Sequence, residues 1–307
     1  MEEVENWPGL PGPQALPALR LAARRWTGLL RLPLRHRRWR GSSGEFAGIG
    51  VGSSLEFQDH RAYQPGDDPR QINWQAYART GQYSMKLYRE EVRPLVDVAL
   101  DVSDSMWAFA GKADRTAELL YFAVEGAGRA GASVRVFAID GAVVHPLSEA
   151  SIASDRWAGE VAAAFTPASD APRPPHAVPV VARIPFRPGS LRILVSDLLF
   201  PGTPESVVHP LVAGQGRGVI LAPAAPEETT PDWQGNCEFI DAEARTRHPH
   251  RLTPERLTHY TDAYRRHFDL WKDAALRHGV ALARVPATGD LGAALRTEAV
   301  AAGAVEF

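Results

Sequence analysis

Cysteine is nearly absent: Cys237 stands alone in the chain. One thiol makes no internal disulfide and no thiolate metal cluster, which fits a reducing compartment. Long hydrophobic runs are missing too, because the leucines Leu29, Leu30, Leu32 and Leu34 are interrupted by arginine and fall short of the roughly 18 apolar residues of a membrane span. The opening residues, with Glu2, Glu3, Glu5 and early prolines, lack the basic-then-apolar order of a signal peptide. Together these absences predict a cytoplasmic protein. Net charge is also small, at -2, which argues against wholesale nucleic-acid binding. Neither Gly48-Ile49-Gly50-Val51-Gly52 nor Gly214-Gln215-Gly216-Arg217-Gly218 has the Gly-Lys-Ser/Thr ending of a phosphate loop, so no nucleotide hydrolysis is indicated.

What the chain does contain is the composition of an ordinary globular protein, 45% hydrophobic and 23% charged. Its 307 residues suit one large domain, or one with an appendage. Residues 1–42 read as a basic Pro/Arg-rich arm. Arg20, Arg24, Arg25, Arg31, Arg35, Arg37, Arg38 and Arg40 occur there with no acid between them, and Ala15 to Leu34 is at best an interrupted amphipathic helix with no core of its own. Residues 43–93 read as a β-rich extension of short strands, carrying Phe57, Tyr63, Ile72, Trp74, Tyr77, Tyr83, Leu87 and Tyr88, with Pro65-Gly66 in a type II turn.

From residue 94 to 307 the pattern changes to short apolar runs alternating with helical stretches, which predicts an α/β fold with a doubly wound, mostly parallel sheet. The runs are Leu95 to Leu100, Val134 to Ile139, Leu191 to Val195, Val219 to Leu221 and Val280 to Val285. Helices are expected over Lys112 to Arg129, Ile152 to Phe165 and from Pro254 through Ala275, with Phe239-Ile240-Asp241 as an added edge strand.

The sharpest local signal stands where the first run ends, at Asp101-Val102-Ser103-Asp104-Ser105. Ligands of open α/β sheets collect at the carboxyl ends of strands. Magnesium takes oxygen ligands from one or two carboxylates and keeps several waters. Asp101, Ser103 and Ser105 alternate in a turning loop and can supply such oxygens. Asp197, at the end of another apolar run, is the candidate second carboxylate, and Thr166 a further hydroxyl. The bland alternative is a helix cap with an Asx turn.

This loop resembles the metal-ion-dependent adhesion site of von Willebrand factor A domains, with Asp197 matching the later aspartate. The preceding block, with Phe57, Arg61, Tyr63, Pro65-Gly66-Asp67-Asp68, Arg70, Ile72, Trp74 and Ala78-Arg79-Thr80-Gly81, resembles the bacterial family known as domain of unknown function fifty-eight; Asp241-Ala242-Glu243 and the Tyr260 to Trp271 helix fit more loosely. The resemblance implies a non-catalytic von Willebrand factor A-like protein that works with MoxR-type AAA+ ATPases. No threonine sits in a Gly-Gly-Thr-like third loop.

Among the distinctive block, Asp67 or Asp68 paired with Arg61, Arg70 or Arg79 would lock a turn onto its sheet, and contact with a partner is the other use for these residues. His248, His250, His259 and His267 lack zinc spacing, and Ser196 has no histidine in a nucleophile motif. The expected function is therefore metal-dependent protein binding, in which magnesium (or manganese or calcium) accepts an exposed acidic residue of the partner. Two alternatives stay open: a magnesium-dependent phosphoryl hydrolase, and an anionic membrane or nucleic-acid binder acting through residues 20–40.

Overall fold

The apolar runs become strands of one sheet, and the stretches between them become its covering helices. This computed structural model describes residues 9–34, 43–51, 57–65, 67–165, 178–243 and 245–307. Helix α1 (Leu16–Trp26) precedes a small module of β1 (Ser43–Val51), β2 (Phe57–Ala62), α2 (Trp74–Thr80) and β3 (Ser84–Val92). The body begins with β4 (Leu95–Asp101), α3 (Ala110–Arg129), β5 (Ser133–Asp140), β6 (Val143–Leu147), α4 (Glu149–Ala153) and α5 (Trp157–Phe165). It continues through β7 (Leu191–Val195), α6 (Glu205–Val212), β8 (Arg217–Ala224) and α7 (Pro226–Thr229). Strands β9 (Gly235–Ile240) and β10 (Arg247–Leu252), helix α8 (Pro254–Arg277), strand β11 (Ala281–Pro286) and helix α9 (Leu291–Glu298) complete it.

The main sheet has six strands in the order β11-β8-β7-β4-β5-β6. Every pairing is parallel except β5 with β6. The chain winds outward from β4 through β5 to β6, then returns to β7 on the other side of β4 and winds away again. That makes a doubly wound, mostly parallel sheet whose switch point lies between β4 and β7. Both faces are covered, which is why the strands read as unbroken apolar runs. Val96, Val98 and Leu100 face the layer holding α3, while Ala99 faces the opposite one, where α8 contributes Tyr264, Phe268, Trp271 and Ala275 at three- and four-residue steps.

Several expectations need correction. Strand β6 was not read from the sequence, because Pro146 and a half-exposed face hide an edge strand, where proline is tolerated. Trp74 to Thr80 is a helix rather than a strand: Asn73 caps its start and Gly81, at φ 68°, ends it in the left-handed conformation only glycine adopts freely. The Ile152 to Phe165 helix is two, broken at Asp155, whose φ is +55°. Strand β9 pairs with β10 in a separate antiparallel hairpin and adds nothing to the main sheet's edge.

The N-terminal arm differs most. Leu16 and Ala23 of α1, and Leu30, Leu32 and Leu34 beyond it, belong to the same buried core as α3. Trp26 lies against Gly292 of α9 so closely that a Cβ there would sit 2.3 Å from the ring. Its Nε1 donates to Asp290, and Arg31 bridges in antiparallel fashion to Glu306. The interrupting arginines are compatible with burial because Arg24, Arg25 and Arg31 are exposed, and Arg20 is paired with Glu125 of α3 at 2.7 Å. No helix among the described residues is long and apolar enough to cross a membrane.

Candidate functional site

Strand β4 delivers Asp101 to the switch point with its side chain wholly buried. The next residues turn at once: Asp101 Oδ1 accepts from the Ser103 backbone N–H at 3.0 Å, and a single 3-10 turn spans Asp104–Trp107. The turn holds its shape because Trp107 donates from Nε1 to the Val102 carbonyl and Met106 is buried beneath it. The Ser103 and Ser105 hydroxyls are consequently brought to 3.3 Å of each other.

Strand β7 supplies the facing residues. Ser196 Oγ donates to Asp101 Oδ2 at 2.7 Å, and the Asp197 backbone N–H points to the Met106 sulfur. Asp197 Oδ1 accepts from the Leu199 N–H. Lys112, fully buried in the first turns of α3, donates to Asp197 Oδ2 at 2.7 Å and to Glu228 Oε1 at 2.5 Å. Glu228 in turn closes the start of α7 by accepting from the Ala225 N–H. From the β9–β10 turn, Glu243 Oε1 accepts from the Ser105 N–H at 3.0 Å.

The charges do not balance. Four carboxylates, Asp101, Asp197, Glu228 and Glu243, are gathered with the single ammonium of Lys112. Burial, reinforced by the charge of Asp197, pushes Asp101 up to about 7. Burial raises Glu228 as well, with Lys112 opposing and Asp197 adding. Glu243 is raised by burial and by Asp104, Asp140 and Asp197. Asp197 goes the other way: burial would raise it, but the charge and hydrogen bond of Lys112 hold it below the ordinary carboxylate range. A cluster that pushes its carboxylates toward the neutral form lacks positive charge.

Among the described residues no three His, Cys, Asp or Glu side chains form a ready metal cage. Two carboxylates and two hydroxyls are nonetheless the donor set of a hard ion that keeps several waters, and the surplus negative charge fits a divalent cation. Asp101, Ser103, Ser105 and Asp197 are therefore together as the sequence suggested. Thr166 lies outside the described residues. The pairing of Lys112 with Asp197 and Glu228, and the places of Ser196 and Glu228 in the site, were not foreseen; the one signal was a lysine beside the loop on the buried stripe of α3.

The distinctive N-terminal block gathers elsewhere. Arg61 and Asp67 form a two-pronged ion pair at 2.7 and 2.6 Å, and Asp67 also accepts from the Gln64 N–H. Asp68 caps the short turn through the Arg70 N–H, and Arg79 Nε reaches the Gln75 carbonyl. Tyr77 stacks on Tyr83 at 4.4 Å, with Tyr63 and Trp74 around them. The bonds described for these residues lie inside the module: Arg61 and Asp67 tie a turn to β2, and Asp68 caps the short turn that follows. Gly66 lies outside the described residues.

A search of curated proteins finds no match. Among solved structures the chain is similar to BatB of Bacteroides thetaiotaomicron, a conserved hypothetical protein, at 16% identity over 68% of this chain and 98% of that one. The TM-score is 0.30, too low for the likeness to bear on fold or function. The sequence model of one family, described as "Protein of unknown function DUF58", matches residues 59–267, a span that includes the N-terminal block from Arg61 onward, both aspartates of the site and Glu243. The chain belongs to the DUF58 family.

Proposed function

We propose that this protein is a non-catalytic, metal-dependent binding protein that grips an acidic side chain of a protein partner, and that the partner is a MoxR-type AAA+ ATPase. The observation that carries the reading is the convergence of Asp101, Asp197, Ser103 and Ser105 at the switch point, in a cluster short of positive charge. A divalent cation, magnesium or else manganese or calcium, would supply that charge and an open coordination position for a carboxylate. Asp101 and Asp197 provide the negative charge and the two serines the neutral oxygens. Met106 ties the β7 loop to the β4 loop, and Lys112 ties it to α3 and α7. Lys112 is spent on Asp197 and Glu228 rather than turned toward a phosphate, which favours binding over phosphoryl hydrolysis.

A ligand that binds only the folded state stabilises it by about 2.7 kcal/mol at a hundredfold excess over Kd. Magnesium is therefore expected to raise the melting temperature of the wild type and to leave Asp101→Ala and the double variant Ser103→Ala/Ser105→Ala unmoved. Titration calorimetry against the ATPase, in magnesium and in chelator, tests the bridge itself. Equal affinity of wild type and variants under both conditions would remove the metal from the mechanism.

A further inference from the structure

Helix α1 is docked on one side and bare on the other. Leu16 and Ala23 belong to the core shared with α3, while Pro17, Ala18, Leu21, Arg24 and Arg25 are exposed and recur at three- and four-residue steps. Leu21 is 55% exposed, and Leu29, just past the helix, 59%. These two are open although Leu30, Leu32 and Leu34 beside them are buried.

The arginines around the open leucines have no acidic partners. Arg20 is held by Glu125, but among the described residues no ion pair takes up Arg24, Arg25, Arg31 or Arg129. Arg129, at the end of α3, lies beside Gly28, where a Cβ would be 3.7 Å from its guanidinium. Arg296 of α9 lies over the Trp26 ring at 5.0 Å. Of the acids that touch this stretch, Asp290 is taken by Trp26 Nε1 and by the first turn of α9, and Glu306 meets Arg31 through the backbone.

Arg24, Arg25, Arg129 and Arg296 each stand in the last turn of a helix, where a cation complements the carbonyl end. That accounts for basic residues at each helix end taken singly. It accounts neither for three such ends meeting around residues 24–31 nor for two leucines left open among them. A basic face with open leucines suits an anionic bilayer, in which arginines meet phosphates and leucines enter the acyl boundary. A nucleic acid would use the charge and have no use for the leucines.

We propose that the outer side of α1, with Arg31, Arg129 and Arg296 beside it, is a docking face for an anionic lipid bilayer, and that Leu21 and Leu29 are the residues it inserts. Arg35, Arg37, Arg38 and Arg40, which follow at once in the sequence, lie outside the described residues. Helix α3 runs from Lys112, at the switch point, to Arg129, at this face, about 25 Å at a rise of about 1.5 Å per residue. A membrane bound here leaves the Asp101 loop uncovered and open to a protein.

The test is cosedimentation of the full chain with vesicles of phosphatidylcholine alone and of phosphatidylcholine mixed with phosphatidylglycerol. The wild type is expected to sediment with the mixed vesicles only, and less as salt rises. Arg24→Gln/Arg25→Gln should lower partitioning roughly 25-fold, at about fivefold for each charge lost. Leu21→Gln/Leu29→Gln should lower it several-fold with the charge unchanged. Both variants should melt with the wild type, since the altered side chains are exposed. Failure of the wild type to sediment with the mixed vesicles, or partitioning unchanged in the arginine variant, would overturn the docking face. Partitioning unchanged in the leucine variant, together with release of the vesicles by an RNA oligonucleotide, would overturn it in favour of a polyanion surface.

Discussion

Strand β4 carries two buried aspartates four residues apart, and they have opposite fates. Asp97, near its amino end, is wholly buried and receives Arg135 Nε at 3.0 Å, Arg187 Nε at 2.8 Å, the Arg187 N–H and Ser190 Oγ. Burial would raise it, but the two arginines hold it below the ordinary carboxylate range. Asp101, at the carboxyl end, is as deeply buried and meets two serine hydroxyls, a backbone N–H and a like-charged neighbour but no cation, so burial and Asp197 raise it to about 7. Burial is therefore no mark of function here. The mark is a charge that the protein has buried and left without a counter-charge.

The strongest way to break the comparison is to neutralise each aspartate in turn, in chelator. Asp97→Asn leaves two guanidinium groups facing no charge and is expected to cost about 3–5 kcal/mol in a urea unfolding curve. Asp101→Asn relieves repulsion from Asp197 and should change stability by about 1 kcal/mol or less. Similar losses at both positions would mean that Asp101 is as structural as Asp97.

Titration approaches the Asp97 loss by degrees. Because its folded value lies below the ordinary 3.8, its contribution is complete above that pH and disappears as pH falls through the folded value. Thermal melts between pH 5 and 2.5, a window chosen about the ordinary value of roughly 3.9, should show a steeper acid loss in the wild type than in Asp97→Asn. Parallel curves would show that the arginines do not depend on its charge.

The smallest effect comes from a matched pair of hydroxyls. Ser190 donates to Asp97 at 3.0 Å and Ser196 to Asp101 at 2.7 Å. Removing a hydrogen bond to a charged group costs about 1.5–3 kcal/mol, and one that is backed up costs about 1 kcal/mol. At pH 8, Ser196→Ala should accordingly be the more costly change, and the reverse order in chemical denaturation would contradict the contrast between the two ends of the strand.

How much of this the sequence discloses depends on how local each cause is. The β4 and β7 runs were legible because two covered faces demand unbroken apolar residues, and the site's aspartates could be placed because each ends such a run. Lys112 was not, since its partners are 85 and 116 residues away and a lone lysine on a helix is ordinarily solvated. The α2 helix was misread because Trp74 and Tyr77 suggest a strand, although Asn73 and Gly81 already marked its two ends. The docking of α1 left no local trace: its arginines are visible in sequence, and the surface of α9 that takes Trp26 is not.

That docking also has a schedule. Trp26 and its partner Asp290 are separated by 264 residues, so at about 5–20 residues per second the ribosome takes roughly 13–50 s to deliver the second after the first. Leu16 and Leu30 can meet α3 long before that, but throughout the interval Trp26 waits for a surface that does not yet exist. Arg20, Arg24, Arg25 and Arg31 stand among them, as charged gatekeepers stand beside unavoidable apolar segments. The basic character that first suggests an anionic target thus also sets charge beside the apolar residues that α3, and last of all α9, come to cover.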